Sequence, residues 1–112
     1  CMAYTRYVLE AGQAGDILDL QVALAPCVVG YAEVANRLMA SPATRLDGNP
    51  YRAWIETYAG EDYQKVAAAA GAQLARLDAR RAGPGRDPTL VKLFGGASRL
   101  EADFWQMGLD AA

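Results

Sequence analysis

The stretch GDILDLQVALAPCVVGYAEVANRLMA, Gly15 to Ala40, decides how the rest of the chain is read. Asp16 has the side chain of an N-cap, and the apolar positions Ile17, Leu20, Leu24, Cys27 and Tyr31 recur at three- and four-residue intervals. That is one face of a helix running to about Ala40. Pro26 sits inside it. A proline there removes one backbone N–H and clashes with the carbonyl of Val22, at a cost of about 3 kcal/mol unless packing compensates. Val22, Leu24, Val28, Val29, Ala32 and Val34 do not fit one stripe, so this helix is expected to be covered on more than one face.

The flanking sequence reads as more helix. Met2 to Ala11 forms one, ended by Gly12 and Gly15. Ser41 to Asn49 is a loop of turn formers, after which Asn49 and Pro50 open a short helix, Tyr51 to Tyr58, with Trp54 and Tyr58 on one face. Gly60 interrupts it. A longer helix spans Glu61 to Arg81, and its alanines Ala67 to Ala70 allow a neighbour to approach closely. AGPGRDP, Ala82 to Pro88, is the clearest breaker, and a last helix covers about Asp87 to Met107 with Gly95–Gly96 as a weak point. No segment alternates with period two, so strands are not expected. The fold class is all-α, an antiparallel helix bundle around one core.

The 112 residues suit one domain, and 53% hydrophobic with 21% charged residues is the composition of a packed core. A net charge of −2 gives no basic footprint for nucleic acid or for an anionic membrane. The longest apolar stretch, Val22 to Ala32, reads as too short to span a bilayer, and the N-terminus lacks a signal-peptide pattern; a cytoplasmic protein is expected. Histidine is absent, which excludes His-based metal sites and triads within this chain. The acidic residues lack metal-ligand spacing, and no metal or cofactor is expected. The glycines follow no strand and make no phosphate loop. Two cysteines, Cys1 and Cys27, are too few for a secreted disulfide scaffold, although they could pair. A start at Cys1–Met2 is unusual for a mature chain and suggests a piece of a longer protein.

Some side chains could carry chemistry. Cys27 is either a small buried hydrophobe or a thiol turned into a cavity at the proline bend. Tyr31 lies one turn beyond on the same face and is either an interior tyrosine or a ligand-binding phenol. Glu101, Phe104 and Trp105 share a face of the last helix. Glu101, held partly inside by the aromatics, suits an acid/base role, unless it pairs with Arg99, Arg6 or another cation. Glu33 and Arg37 read as a surface ion pair.

In order along the chain, AYTRYVL (Ala3 to Leu9), GDILDLQVALAPCVVGYAEV (Gly15 to Val34), NPYRAWIETYAGEDY (Asn49 to Tyr63) and SRLEADFWQM (Ser98 to Met107) resemble the C-terminal half of the TenA family, also called thiaminase II or aminopyrimidine aminohydrolase. The resemblance makes residues 1–112 the C-terminal portion of one helical domain of the haem-oxygenase-like fold, its N-terminal helices absent. It implies no haem or metal, and homo-oligomers, commonly tetramers. The activity it implies is thiamine salvage: hydrolysis of thiamine or 4-amino-5-aminomethyl-2-methylpyrimidine to the hydroxymethylpyrimidine. By the same resemblance Cys27 is the nucleophile and Glu101 the acid/base. Tyr4, Tyr31 and Tyr58 are pocket tyrosines, and Phe104 packs in the substrate site. The family's N-terminal helices supply an aspartate that holds the aminopyrimidine. Val28 and Val29 stand where many relatives carry aromatics.

Two other readings differ in class. One is a helical interaction module without catalysis, in keeping with the family's transcriptional-regulator label. The other is an enzyme of the pyrroloquinoline-quinone synthase group, which relies on histidines that this chain lacks. On any of these readings a partner is expected to cover the apolar faces of Gly15–Ala40. It would be a second copy about a two-fold axis or an N-terminal segment, burying well above about 1,000 Å².

Overall fold

A computed structural model describes residues 2–111. Cys1, and with it any pairing to Cys27, lies outside the described residues; among the described residues Cys27 has no disulfide partner. The chain forms five helices: α1 (Met2–Ala14), α2 (Ile17–Ala40), α3 (Arg52–Ala59), α4 (Glu61–Arg81) and α5 (Asp87–Ala111). No strand occurs among the described residues. The architecture is the expected all-α bundle, with α2 at its centre. Each of the other four helices packs on α2, α1 also meets α5, and α3 also meets α4.

That central position explains the apolar residues on several faces of α2. At 24 residues α2 is long and apolar enough, by length and composition, to cross a membrane, although the sequence reading credited only Val22–Ala32. Here it is the helix on which the others pack. α2 also runs unbroken through Pro26, which is buried.

Its N-terminus is tied down twice. The Asp16 carboxylate accepts from the backbone N–H groups of Leu18 and Asp19, and the Asp19 carboxylate accepts from the Asp16 N–H, a reciprocal capping box. Arg86, in the α4–α5 connection, then donates to Asp16 at 3.1 Å and to Asp19 at 2.6 Å. The breaker Ala82–Pro88 thus sets where α5 starts relative to α2, and so where Glu101 lands.

The core is small-grained. One cluster joins Val8, Ala11 and Ala23, with Tyr4, Leu20, Leu24 and Leu93 packed on it. The other joins Leu18, Val22 and Leu90, with Leu74, Leu77, Ala82 and Leu93 around it. Leu18 is the one large side chain that is fully enclosed among the described residues. Ala23, Ala35 and Ala97 are enclosed completely, as close helix crossings require.

Several boundaries differ from the sequence reading. α1 continues past Gly12 to Ala14. α3 starts at Arg52, because Pro50 sits in a preceding turn; the Asn49 side chain accepts from the Tyr51 N–H and caps that turn instead of the helix. α5 extends beyond Met107 to Ala111 and passes through Gly95–Gly96 without a break. Gly96 serves close packing: a Cβ there would run into the phenol of Tyr7, whose hydroxyl donates to the Leu93 carbonyl at 3.0 Å. The Glu33–Arg37 pair forms at 2.9 Å on the surface, as expected.

Candidate active site

α2 presents Cys27 one residue past Pro26, and Tyr31 one turn further on. Both are half-buried. The Tyr31 hydroxyl donates to Oε2 of Glu101 at 2.6 Å, linking α2 to α5. The geometry is that of a short, charge-assisted hydrogen bond. Glu101 is half-buried, and no cation pairs with it among the described residues. The Arg99 and Arg6 alternatives therefore do not form.

Phenols from two neighbouring helices flank the thiol. Tyr4 of α1 donates to the Ala23 carbonyl at 2.7 Å, one turn before Cys27. Tyr63 of α4 donates to the Val28 carbonyl at 2.7 Å, one residue after it.

Tyr31 is also the hub of an aromatic cluster. Its ring stands edge-on to Trp54 at 5.6 Å, to Tyr58 at 5.5 Å and to Trp105 at 6.2 Å. Trp54 contacts Tyr58 at 4.7 Å and Trp105 at 5.8 Å, and Tyr58 contacts Tyr63 at 4.6 Å. Phe104 joins through Trp105 alone, at 5.8 Å, and is 38% exposed, so it stands at the open edge of the cluster.

The electrostatics follow from burying several acids together. Burial, then the charge of Glu101, pushes the Cys27 thiol up from its ordinary value. Burial, then Cys27 and Glu101, pushes the Tyr4 phenol up to about 12. Tyr31 is raised by burial and by its hydrogen bond to Glu101, and Tyr63 by burial and then Cys27. None of the groups acting on these four is a cation. A positive charge entering here would stabilise thiolate and carboxylate at once.

Of the six residues singled out from sequence, Cys27, Glu101, Tyr4 and Tyr31 form one electrostatically connected group. Tyr58 joins it through ring contact, and Phe104 lies at its margin. Sequence reasoning did not place Trp54, Trp105 or Tyr63 in the site. Trp54 and Trp105 were visible as aromatics on helical faces; Tyr63 lies across the Gly60 break from Tyr58, where no helical spacing relates them. A cavity of about 870 Å³ is lined by Tyr31, Trp54 and Trp105 together with Val34, Leu38 and Ile55. Cys27, Glu101, Tyr4, Tyr58 and Phe104 are not part of its lining. The aromatic cluster borders that cavity through Tyr31, Trp54 and Trp105. Among the described residues no three His, Cys, Asp or Glu side chains converge as metal ligands.

The model of the TENA/THI-4/PQQC family matches residues 1–111. The chain is 42% identical to an uncharacterized protein of Haemophilus influenzae over 112 residues, all of this chain and 51% of that one. It is 33% identical to the aminopyrimidine aminohydrolase of Halalkalibacterium halodurans over 106 residues, 95% of this chain and 46% of that one. Among solved structures, a TenA family transcription regulator from Silicibacter sp. TM1040 superposes with a TM-score of 0.84 at 47% identity, covering 96% of this chain and 48% of that one. The chain thus spans about half the length of these relatives.

Proposed function

The chain belongs to the TENA/THI-4/PQQC family, and on that premise we propose that it is part of a thiamine-salvage hydrolase that converts aminopyrimidines to hydroxymethylpyrimidine with Cys27 as nucleophile and Glu101 as acid/base. The observation that carries this reading is the 2.6 Å bond from Tyr31 to Glu101, one helical turn from a half-buried thiol. The aminohydrolase relative supports the substrate class.

The chemistry suits these residue types. For 4-amino-5-aminomethyl-2-methylpyrimidine, substrate and water give the hydroxymethylpyrimidine and ammonia. The Cys27 sulfur adds to the electron-poor ring, its proton passing to a base. The bond to the leaving amine then breaks, and the amine departs with a proton from the acid. Water adds at the vacated carbon and gives a proton to the base, and the sulfur leaves as thiolate and takes that proton back. This covalent route divides one hard displacement into two easier steps. Glu101 can take the first proton and give the second, with the Tyr31 hydroxyl fixing the orientation of its carboxylate. Because burial and Glu101 both raise the Cys27 thiol, it is protonated in the free site at neutral pH. The thiazolium of thiamine is cationic and would favour the thiolate on binding. Trp54, Tyr58 and Trp105 offer ring faces and exclude water.

The test uses the protein that carries this chain, incubated with thiamine and with 4-amino-5-aminomethyl-2-methylpyrimidine, with hydroxymethylpyrimidine measured by mass spectrometry. Product formation is expected, and Cys27→Ala should abolish it while helicity by circular dichroism is kept. Turnover by Cys27→Ala near the parent rate would remove the nucleophile assignment. The alternative, a helical interaction module without catalysis, has support in the name of the Silicibacter relative, a TenA family transcription regulator, but direct contact with nucleic acid is not part of it. The net charge of −2 offers little counter-charge for a phosphate backbone.

A further inference from the structure

Tyr63 and Gln64 lie in the first turn of α4, outside every residue assigned so far to the reaction. Between them they hold three parts of the candidate site. The Tyr63 hydroxyl donates to the Val28 carbonyl at 2.7 Å, immediately after Cys27. Its ring packs edge-on against Tyr58 at 4.6 Å. The Gln64 amide donates to the Tyr58 carbonyl at 2.8 Å and to the Ala32 carbonyl, immediately after Tyr31, at 3.2 Å. Its oxygen accepts from Asn36 at 2.9 Å. A carbonyl inside a helix already receives an N–H from four residues on. The bonds from α4 to the Val28 and Ala32 carbonyls use the second lone pair, so they orient α2 instead of building it.

Their placement matters because Pro26 brings no N–H to the turn that carries Cys27. On its other side Tyr4 of α1 holds the Ala23 carbonyl. The proline turn is therefore gripped from both sides, by α1 before the thiol and by α4 after it. The α4 grip is shared with Tyr58.

We propose that Tyr63 and Gln64 are positioning residues, which fix the Cys27 thiol and Tyr31 relative to Tyr58 by bonding the α2 backbone and the Tyr58 residue from one helical turn. The proposal rests on the hydrolase reading and deepens it. Tyr63→Phe is the sharp variant, since it keeps the ring against Tyr58 and removes only the hydroxyl.

The readout is alkylation of Cys27 by iodoacetamide across pH in the protein that carries this chain, with peptide mass mapping to separate it from every other cysteine. The acids around the thiol are Tyr4 from α1, Tyr31 on α2, Tyr63 from α4 and Glu101 from α5, with Tyr58 of α3 behind Tyr63. Burial is the main cause holding the thiol up. Loosening the turn admits water, so the alkylation midpoint should fall by about half a pH unit in Tyr63→Phe. The rate below the midpoint should then rise about threefold, because the thiolate is the reacting form. Gln64→Ala should shift it the same way, with helicity unchanged in both. An unmoved midpoint in both variants overturns the proposal. Alkylation needs no turnover, so the two readings fail separately. A shifted midpoint in a protein that hydrolyses no aminopyrimidine keeps the positioning role and loses the hydrolase. Turnover with an unmoved midpoint does the reverse.

Discussion

At the scale of single residues, Glu101 is the point where two effects can be read independently. Its charge raises the Cys27 thiol by repulsion, and in the proposed reaction its carboxyl exchanges protons with substrate. Glu101→Gln removes both. Hydrolysis should fall by about 10²–10⁴, the usual contribution of a positioned acid/base group. The Cys27 alkylation midpoint should move the opposite way from a loss of reactivity: it falls, because the like charge is gone. A Gln variant with a lower midpoint and near-parental turnover would leave Glu101 as an electrostatic neighbour only. One that alkylates with the parental profile would show that the carboxylate does not reach the thiol.

At the scale of elements, the junction of Asp16, Asp19 and Arg86 controls where α5 lies along α2. The Arg86 guanidinium, foremost, holds the Asp16 carboxyl well below the ordinary value of 3.8. The sign is that of a depressed acid: its contribution is full above the ordinary value and is lost progressively as pH falls from there toward the depressed one. Arg86→Gln should therefore lower the melting temperature at neutral pH, and the gap to the parent should begin to narrow only below about pH 4, the ordinary Asp value, and go on narrowing as pH falls further. Melting curves that stay equally separated from pH 7 to pH 2 would show that the ion pair is not what couples α5 to α2. This junction was half legible in sequence. Asp16 as a cap and Ala82–Pro88 as a breaker carry local signals, because capping and turn formation depend on residues only a few positions apart. That Arg86 closes onto Asp16 could not be read, since the partners meet only after α4 has run its length. The same contrast runs through the site. Cys27 and Tyr31 share a helical face by spacing alone. The bonds of Tyr4 to Ala23 and of Tyr63 to Val28 end on backbone carbonyls, which every residue has, so no residue type at the receiving end marks them. The start of α3 was misplaced for a related reason, Asn49 being a good cap for a turn as well as for a helix.

At the scale of the whole molecule, the bundle is a slab of 48 × 31 × 19 Å with a radius of gyration of 15.6 Å. A compact chain of this length would have about 13 Å. The flattened shape leaves Val29, Val34 and Met39 of α2 and Phe104, Trp105, Met107 and Leu109 of α5 exposed. Apolar area of that extent is expected to be covered. In sedimentation equilibrium at micromolar concentration, the 112-residue chain should associate, burying more than about 1,000 Å² between copies. A monomer that melts cooperatively would show that the slab is stable with both faces wet. The aromatic cluster has a practical consequence for such work. The chain has two tryptophans, and both, Trp54 and Trp105, belong to that one cluster. Ultraviolet emission excited at the indole band therefore sees only the corner where α2, α3 and α5 meet, and neither core cluster at the Leu18 end emits with it. Comparing the emission transition with the amide dichroism transition in a denaturant titration separates opening of that corner from global unfolding, with no label attached.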